Sequence, residues 1–161
     1  MKTTRAPQLA LRLDANAPDP AARWHHGTEI AYLGGTLRLQ LDTAGKEALL
    51  DGAILHLPLP PQATPRQIQD RAEAWLRDAA KQHFLDILTQ KSALAGRRTP
   101  QLKLSFSAHG SWVQVNDAET LRCNWRLIEQ GPEVIEQTLA RAIAAMPQPE
   151  RELDLFAAFA A

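Results

Sequence analysis

Sulfur is scarce in this chain: one cysteine, Cys123, and two methionines. A single thiol excludes an intrachain disulfide and fits a reducing compartment. Net charge is missing as well, since 18 Lys and Arg balance 18 Asp and Glu. No global attraction toward nucleic acid or a membrane surface follows. No run of residues is apolar enough to span a bilayer, and the N-terminus lacks the apolar core of a secretory signal. The expectation is a cytoplasmic protein with no membrane partner and no direct nucleic-acid binding. Histidine is sparse too. His25, His26, His56, His83 and His109 include no pair at the spacing of metal ligands on one element.

At 161 residues the chain is long enough for one hydrophobic core. Residues 1–23 mix short apolar pieces with Asn16, Pro18, Asp19 and Pro20 and read as an N-terminal arm, with Leu9, Leu11 and Leu13 in the alternation of an edge strand. Residues 24–146 read as the domain and residues 147–161 as a tail. Within the domain, Glu29–Leu41 has a Gly34-Gly35 turn followed by alternation through Leu37, Leu39 and Leu41. Ala53–Leu59 alternates again through Leu55, Leu57 and Leu59, with His56 inside the strand. Thr64-Pro65-Arg66-Gln67 has the spacing of a capping box. After it, Ile68, Ala72, Trp75, Leu76, Ala79, Phe84, Ile87 and Leu88 predict a helix running to about residue 93, with one wide apolar face. Gly96–Pro100 turns the chain, leaving Arg97 and Arg98 exposed, and Leu102, Leu104 and Phe106 alternate as another strand.

The most informative stretch is Leu121–Met146. Leu121, Cys123, Trp125 and Leu127 alternate with Arg122, Asn124 and Arg126, which predicts a half-buried strand through Ile128. Cys123 falls on its apolar side, as a packed thiol rather than a nucleophile. Beyond Gly131, Pro132 suits a first helical turn and Glu133 and Glu136 suit its positive end. Ile135, Leu139, Ala142, Ile143 and Met146 then recur at helical spacing. The predicted class is α+β: an antiparallel sheet packed by two main helices.

Asn124-Trp125-Arg126-Leu127 followed by Pro132-Glu133-Val134 resembles the core of the YgjP-like metallopeptidase family, a small zincin group related to the SprT-like proteases. Tyr32-Leu33-Gly34 and Ala74-Trp75-Leu76 fit the same resemblance, and Trp112 falls on the aromatic of a further family segment. Around Trp112 the polar residues differ: Ser111 stands for the family's Arg, and Val113-Gln114-Val115 for Gly-Ser-Cys. The resemblance implies a minimal zincin-like fold and a zinc site on the second helix, carried by H-E-x-x-H. In that motif two imidazoles four residues apart bind zinc and the Glu acts on the metal-bound water. Laid on this sequence without gaps, the motif falls on Arg141, Ala142 and Ala145. A guanidinium stays protonated and repels a dication, and alanine offers neither ligand nor base. The segment after the helix, Pro147-Gln148-Pro149-Glu150, supplies no third ligand in the family's manner. No zinc or other cofactor is expected.

Three functions fit these residues. The first is a catalytically inactive relative of a metallopeptidase that binds a protein or peptide, with Trp112, Arg122, Asn124, Arg126 and Arg141 as candidate contacts; the plainer alternative for Arg141 is projection into solvent. The second is a metal-dependent hydrolase whose ligands are recruited from the scattered histidines. The third is an adaptor: Glu152-Leu153-Asp154-Leu155-Phe156 resembles the bacterial sliding-clamp-binding peptide, except that Glu152 stands where an amide normally donates a hydrogen bond. A short helix docked on the domain is the plainer reading of that tail.

Overall fold

Both helices and most strands expected from the sequence are present, in the order β1 (Glu29–Tyr32), β2 (Gly35–Leu41), β3 (Leu49–Asp51), β4 (Ile54–Leu57), α1 (Pro65–Leu94), β5 (Gln101–Ser105), β6 (Val113–Val115), β7 (Thr120–Asn124) and α2 (Pro132–Ala145). The computed structural model describes residues 23–148. The readings made for the N-terminal arm before Arg23 and for the Glu152–Phe156 segment lie outside the described residues. The α+β class holds, but the single antiparallel sheet does not. Two small sheets form, ordered β1-β2-β4-β3 and β5-β7-β6, and each contains one parallel pair. Alternation fixes which side chains share a face and carries no information on strand direction.

The described chain divides into two compact units, one comprising residues up to Ile30 with Leu37–Glu73, the other Ala31–Thr36 with Ala74 onward. In the first unit, β2 and β4 run parallel with Leu39 beside Leu55 and Leu41 beside Leu57. Leu39, Leu55, Leu57 and Ala72 are fully buried, and Trp24, Ile30, Leu37, Leu59 and Ile68 are nearly so. Each such leucine contributes about 1.5–3 kcal/mol relative to exposure. β3 pairs antiparallel with β4 and carries the exposed Leu49 at the sheet's edge. Helix α1 starts at the expected capping box. The Gln67 N–H donates to Thr64 Oγ1 at 3.2 Å, and the Thr64 N–H donates to Gln67 Oε1 at 2.9 Å. Both donors would otherwise be orphans of the first turn.

In the second unit the hairpin tip Tyr32-Leu33-Gly34 docks on the segment before α2. The Leu33 N–H donates to Ile128 O at 2.8 Å and the Gly34 N–H to Glu129 O at 3.2 Å. Both tip residues have positive φ, 49° at Leu33 and 79° at Gly34. The turn therefore sits one residue earlier than Gly34-Gly35, with a leucine in the left-handed region that disfavours branched side chains. A Cβ on Gly34 would lie 2.9 Å from Gly131 Cα. Only glycine fits there.

The expected strand through Ile128 ends early. β7 stops at Asn124, and Trp125–Glu129 form a 3₁₀ turn. Asn124 ends it by capping: its Oδ1 accepts from the Arg126 N–H at 3.0 Å, which ties up a backbone donor that a strand would need. The alternation of 121–128 is therefore broken, with Asn124, Trp125, Leu127 and Ile128 all buried. Helix α2 has no side-chain cap at Gly131 but begins with Pro132 and Glu133, as its sequence predicts.

Arg97, expected to be exposed, instead closes the far end of α2. Its Nη1 donates to Ile143 O at 2.8 Å and Met146 O at 3.3 Å, and its Nη2 to Pro147 O at 2.7 Å. Ile143 O otherwise accepts only the long contact from the Met146 N–H at 3.2 Å, the Met146 and Pro147 carbonyls lie past the last helical turn, and a cation suits the negative end of the helix. Lys91 of α1 pairs with Glu136 of α2 at 2.7 Å. The buried faces of the two helices, Leu76, Ala80, Phe84 and Leu88 with Ile135, Leu139, Ala142 and Ile143, supply much of this unit's core. No helix among the described residues is long and apolar enough to cross a membrane.

Two outcomes follow. Gly34→Ala should lower the unfolding free energy by about 1–3 kcal/mol, from a disfavoured φ and a backbone clash. Gly131→Ala should be close to neutral, because a Cβ there meets nothing within 4 Å. Urea melts of the two variants check the contrast. The hydrogen bond and charge of Lys91 hold the Glu136 carboxyl below its ordinary value of 4.5. A carboxylate with a depressed folded value contributes stability that is present above 4.5 and is lost as pH falls through the folded value. Glu136→Gln should therefore flatten that part of the acid melt, visible as a smaller Tm drop on acidification below the ordinary value.

Candidate functional site

Trp112, Arg122, Asn124, Arg126 and Arg141 all lie in the second unit, on or beside β6, β7, the 3₁₀ turn and α2. On α2, Arg141 and Ala145 are exposed while Ala142 is buried. Arg141 has no hydrogen bond or ion pair among the described residues, in keeping with projection into solvent. No three His, Cys, Asp or Glu side chains among the described residues come together in a way that could hold a metal ion. The three positions on which the family resemblance lays the zinc motif do not offer donors that fit zinc. Position 141 holds a cation, and positions 142 and 145 hold methyl groups.

The histidines are engaged locally or stand alone. In the first unit, His26 Nδ1 accepts from the Leu41 N–H at 3.1 Å, and His56 Nδ1 faces Asp42 Oδ2 at 3.5 Å. His25 lies in the same loop as His26, with its Nδ1 2.8 Å from the His26 carbonyl oxygen. His83 lies within α1 and His109 in the loop before β6. Among the described residues the histidines form no donor set of three that the reading with recruited ligands would need.

β6 is an edge strand of its sheet. It pairs antiparallel with β7, Val113 opposite Cys123, Gln114 opposite Arg122 and Val115 opposite Leu121. The flanking pairs are hydrogen-bonded, with the Asn124 N–H donating to Trp112 O at 2.7 Å and the Asn116 N–H to Thr120 O at 3.2 Å. Hydrogen-bonded and non-bonded pairs alternate along an antiparallel ladder. The N–H and C=O groups of Val113 and Val115 therefore point away from β7, toward the open edge. Trp112 is 39 % exposed and Val115 36 %, and on α2, which packs against β6, Val134 is 45 % exposed.

Asn124 lies behind this edge and is buried. Its Nδ2 donates to Ser107 O at 2.8 Å while its Oδ1 caps the 3₁₀ turn. Both ends of the amide are used, so the side chain braces the loop after β5 against the turn after β7. Trp125, 2 % exposed, is held between cations: the Arg126 guanidinium lies 4.7 Å from its ring centroid and that of Arg77 5.5 Å. Arg77 also lies 5.1 Å from Phe106, so an aromatic at the end of β5 and the buried indole share one guanidinium. Each such contact contributes about 0.5–2 kcal/mol, more where water is excluded. Arg126 has a long contact to Glu129 Oε1 at 3.5 Å and keeps part of its edge exposed. Arg122 is exposed on the opposite sheet face from Leu121 and Cys123. Burial pushes the Cys123 thiol up to about 12. It is inert at neutral pH.

The structure thus places Trp112 beside an open edge, Asn124 buried across the ladder from it and Arg122 exposed on β7, while Arg126 lies in the 3₁₀ turn over Trp125. Sequence reasoning missed Arg77 and Phe106. Phe106 reads only as the end of an alternating strand and Arg77 carries no local pattern, and their contact exists only once α1 meets the end of β5. No curated protein and no solved structure gives a match. A family model described as YgjP-like, metallopeptidase domain, matches residues 7–140. That match takes in the hairpin tip, the 3₁₀ turn and most of α2, the elements that build this site, and the chain belongs to the YgjP-like family.

Proposed function

We propose that this chain is a zinc-free, non-catalytic member of the YgjP-like family that binds an extended protein or peptide segment along the open edge of β6. The observation that carries the reading is the outward set of backbone groups on Val113 and Val115, beside the exposed Trp112. A peptide laid against such an edge gains main-chain hydrogen bonds from the strand and specificity from flanking side chains. A part-exposed tryptophan next to it is the residue type that most often dominates binding energy. The braced loop and turn around Asn124 hold this edge in place before any partner arrives, which lowers the ordering cost of association. Support for the zinc-free part comes from Arg141, Ala142 and Ala145 at the positions where the family resemblance puts ligands and base.

Tag-free protein should take up no stoichiometric zinc in a titration, and peptides selected from a displayed library should stay intact after incubation with protein and zinc. Cleavage would overturn the non-catalytic reading. Val115→Pro removes only an outward-facing donor, because that N–H does not bond β7. It should keep the fold by circular dichroism yet lose the selected peptides. Trp112→Ala should weaken them by about tenfold or more. Equal binding by wild type and Val115→Pro would sink the edge-strand reading.

A further inference from the structure

The face of the β5-β7-β6 sheet opposite Leu121 and Cys123 is polar. Its middle row runs straight across the sheet: Lys103 on β5 stands beside Arg122 on β7, and Arg122 stands opposite Gln114 on β6. All three are exposed. Two cations side by side on adjacent strands repel each other, an unfavourable pairing that a sheet does not need for its own stability. Lys103 has partial relief, since the Asp117 carboxylate in the β6–β7 turn lies within its field. Arg122 has no hydrogen bond or ion pair among the described residues. Repulsion from Lys103 disfavours a guanidinium leaning toward β5 and favours one directed over Gln114, toward the open edge.

We propose that Arg122 anchors a carboxylate of the segment that adds to β6, so that the partner is an extended peptide alternating acidic and apolar residues. The proposal rests on the edge-strand reading given above. An added strand places successive side chains on opposite faces of the sheet. Those on the polar face continue the row Gln114–Arg122–Lys103. Neighbouring strands lie about 4.8 Å apart, so the added residue and Arg122 are separated by about 10 Å between Cα atoms. A glutamate and an arginine reaching toward each other span that gap, and the guanidinium can grip the carboxylate with two parallel hydrogen bonds. Gln114, lying between, has an amide able to donate to the same group. Side chains of the added strand on the other face fall beside Val113, Val115 and the exposed Val134 of α2, which suit apolar partners. Charge on one side and apolar surface on the other together define the acidic–apolar alternation.

The test uses the full-length chain and three short synthetic peptides in fluorescence anisotropy: alternating Glu and Val, the same with Gln for Glu, and the same with Lys for Glu. The Glu peptide should bind wild type about tenfold or more tightly than the Gln peptide, with the margin shrinking in high salt. Arg122→Gln should erase the difference between Glu and Gln peptides, and Arg122→Glu should shift preference to the Lys peptide. Equal affinity of wild type for the Glu and Gln peptides, or a preference surviving in Arg122→Gln, overturns the proposal. If wild type binds the Glu and Gln peptides alike while Val115→Pro loses both, the charge assignment alone is wrong. If no peptide binds wild type, the edge-strand reading falls with it.

Discussion

The docking of one hairpin tip on one turn governs the second unit. The N–H groups of Leu33 and Gly34 reach the carbonyls of Ile128 and Glu129, and Gly34 fits against the backbone of Gly131 only because Gly34 has no side chain. Leu33 is held at a φ that costs free energy by itself. The two hydrogen bonds and the close backbone approach over-determine it. Since Gly131 immediately precedes Pro132, this contact also fixes where α2 begins. The helix on which the family resemblance puts its metal site is thus positioned by a loop about a hundred residues earlier in sequence, a long-range closure that costs only slightly more than a shorter one.

The structure separates the scaffold from the chemistry. Trp125 is buried between two guanidinium groups, and Asn124 has both ends of its amide committed to the backbone. These contacts are made without Arg141, Ala142 or Ala145, so the Asn-Trp-Arg-Leu segment is held by its own packing and hydrogen bonds. The apolar stripe of α2 is likewise indifferent to what its exposed face presents, since Ile135, Leu139 and Ile143 are buried regardless.

Much of the fold was legible from residue patterns. The capping box at Thr64 marked the start of α1, Pro132 marked α2, and alternation located β2, β4, β5 and β7. What escaped was governed by distance in sequence. Strand direction is set by how connections cross, so the parallel pairs β2–β4 and β5–β7 left no trace in alternation. The strand through Ile128 failed because an asparagine side chain outcompeted the ladder for a backbone donor, a rule that depends on local geometry rather than on periodicity. Of the site, Trp112, Arg122, Arg126 and Arg141 were visible as residues, and their surroundings were not. Whether Trp112 adjoins an open edge depends on the pairing phase of β6, and whether Trp125 is stacked depends on Arg77 arriving from another helix.

The three bonds from Arg97 to the end of α2 have a practical side. They make the end of the helix a composite of two distant stretches, in which residue 97 supplies the donors and residues 143–147 the acceptors. Truncating the chain before Pro147 would strip an acceptor from the guanidinium and free a helix end that is now tied down. Anyone trimming the protein or appending a reporter would keep that junction whole and place the boundary beyond it. Lysine would be a poor exchange at position 97, because a point-like ammonium lacks the flat fork that meets several carbonyls at once.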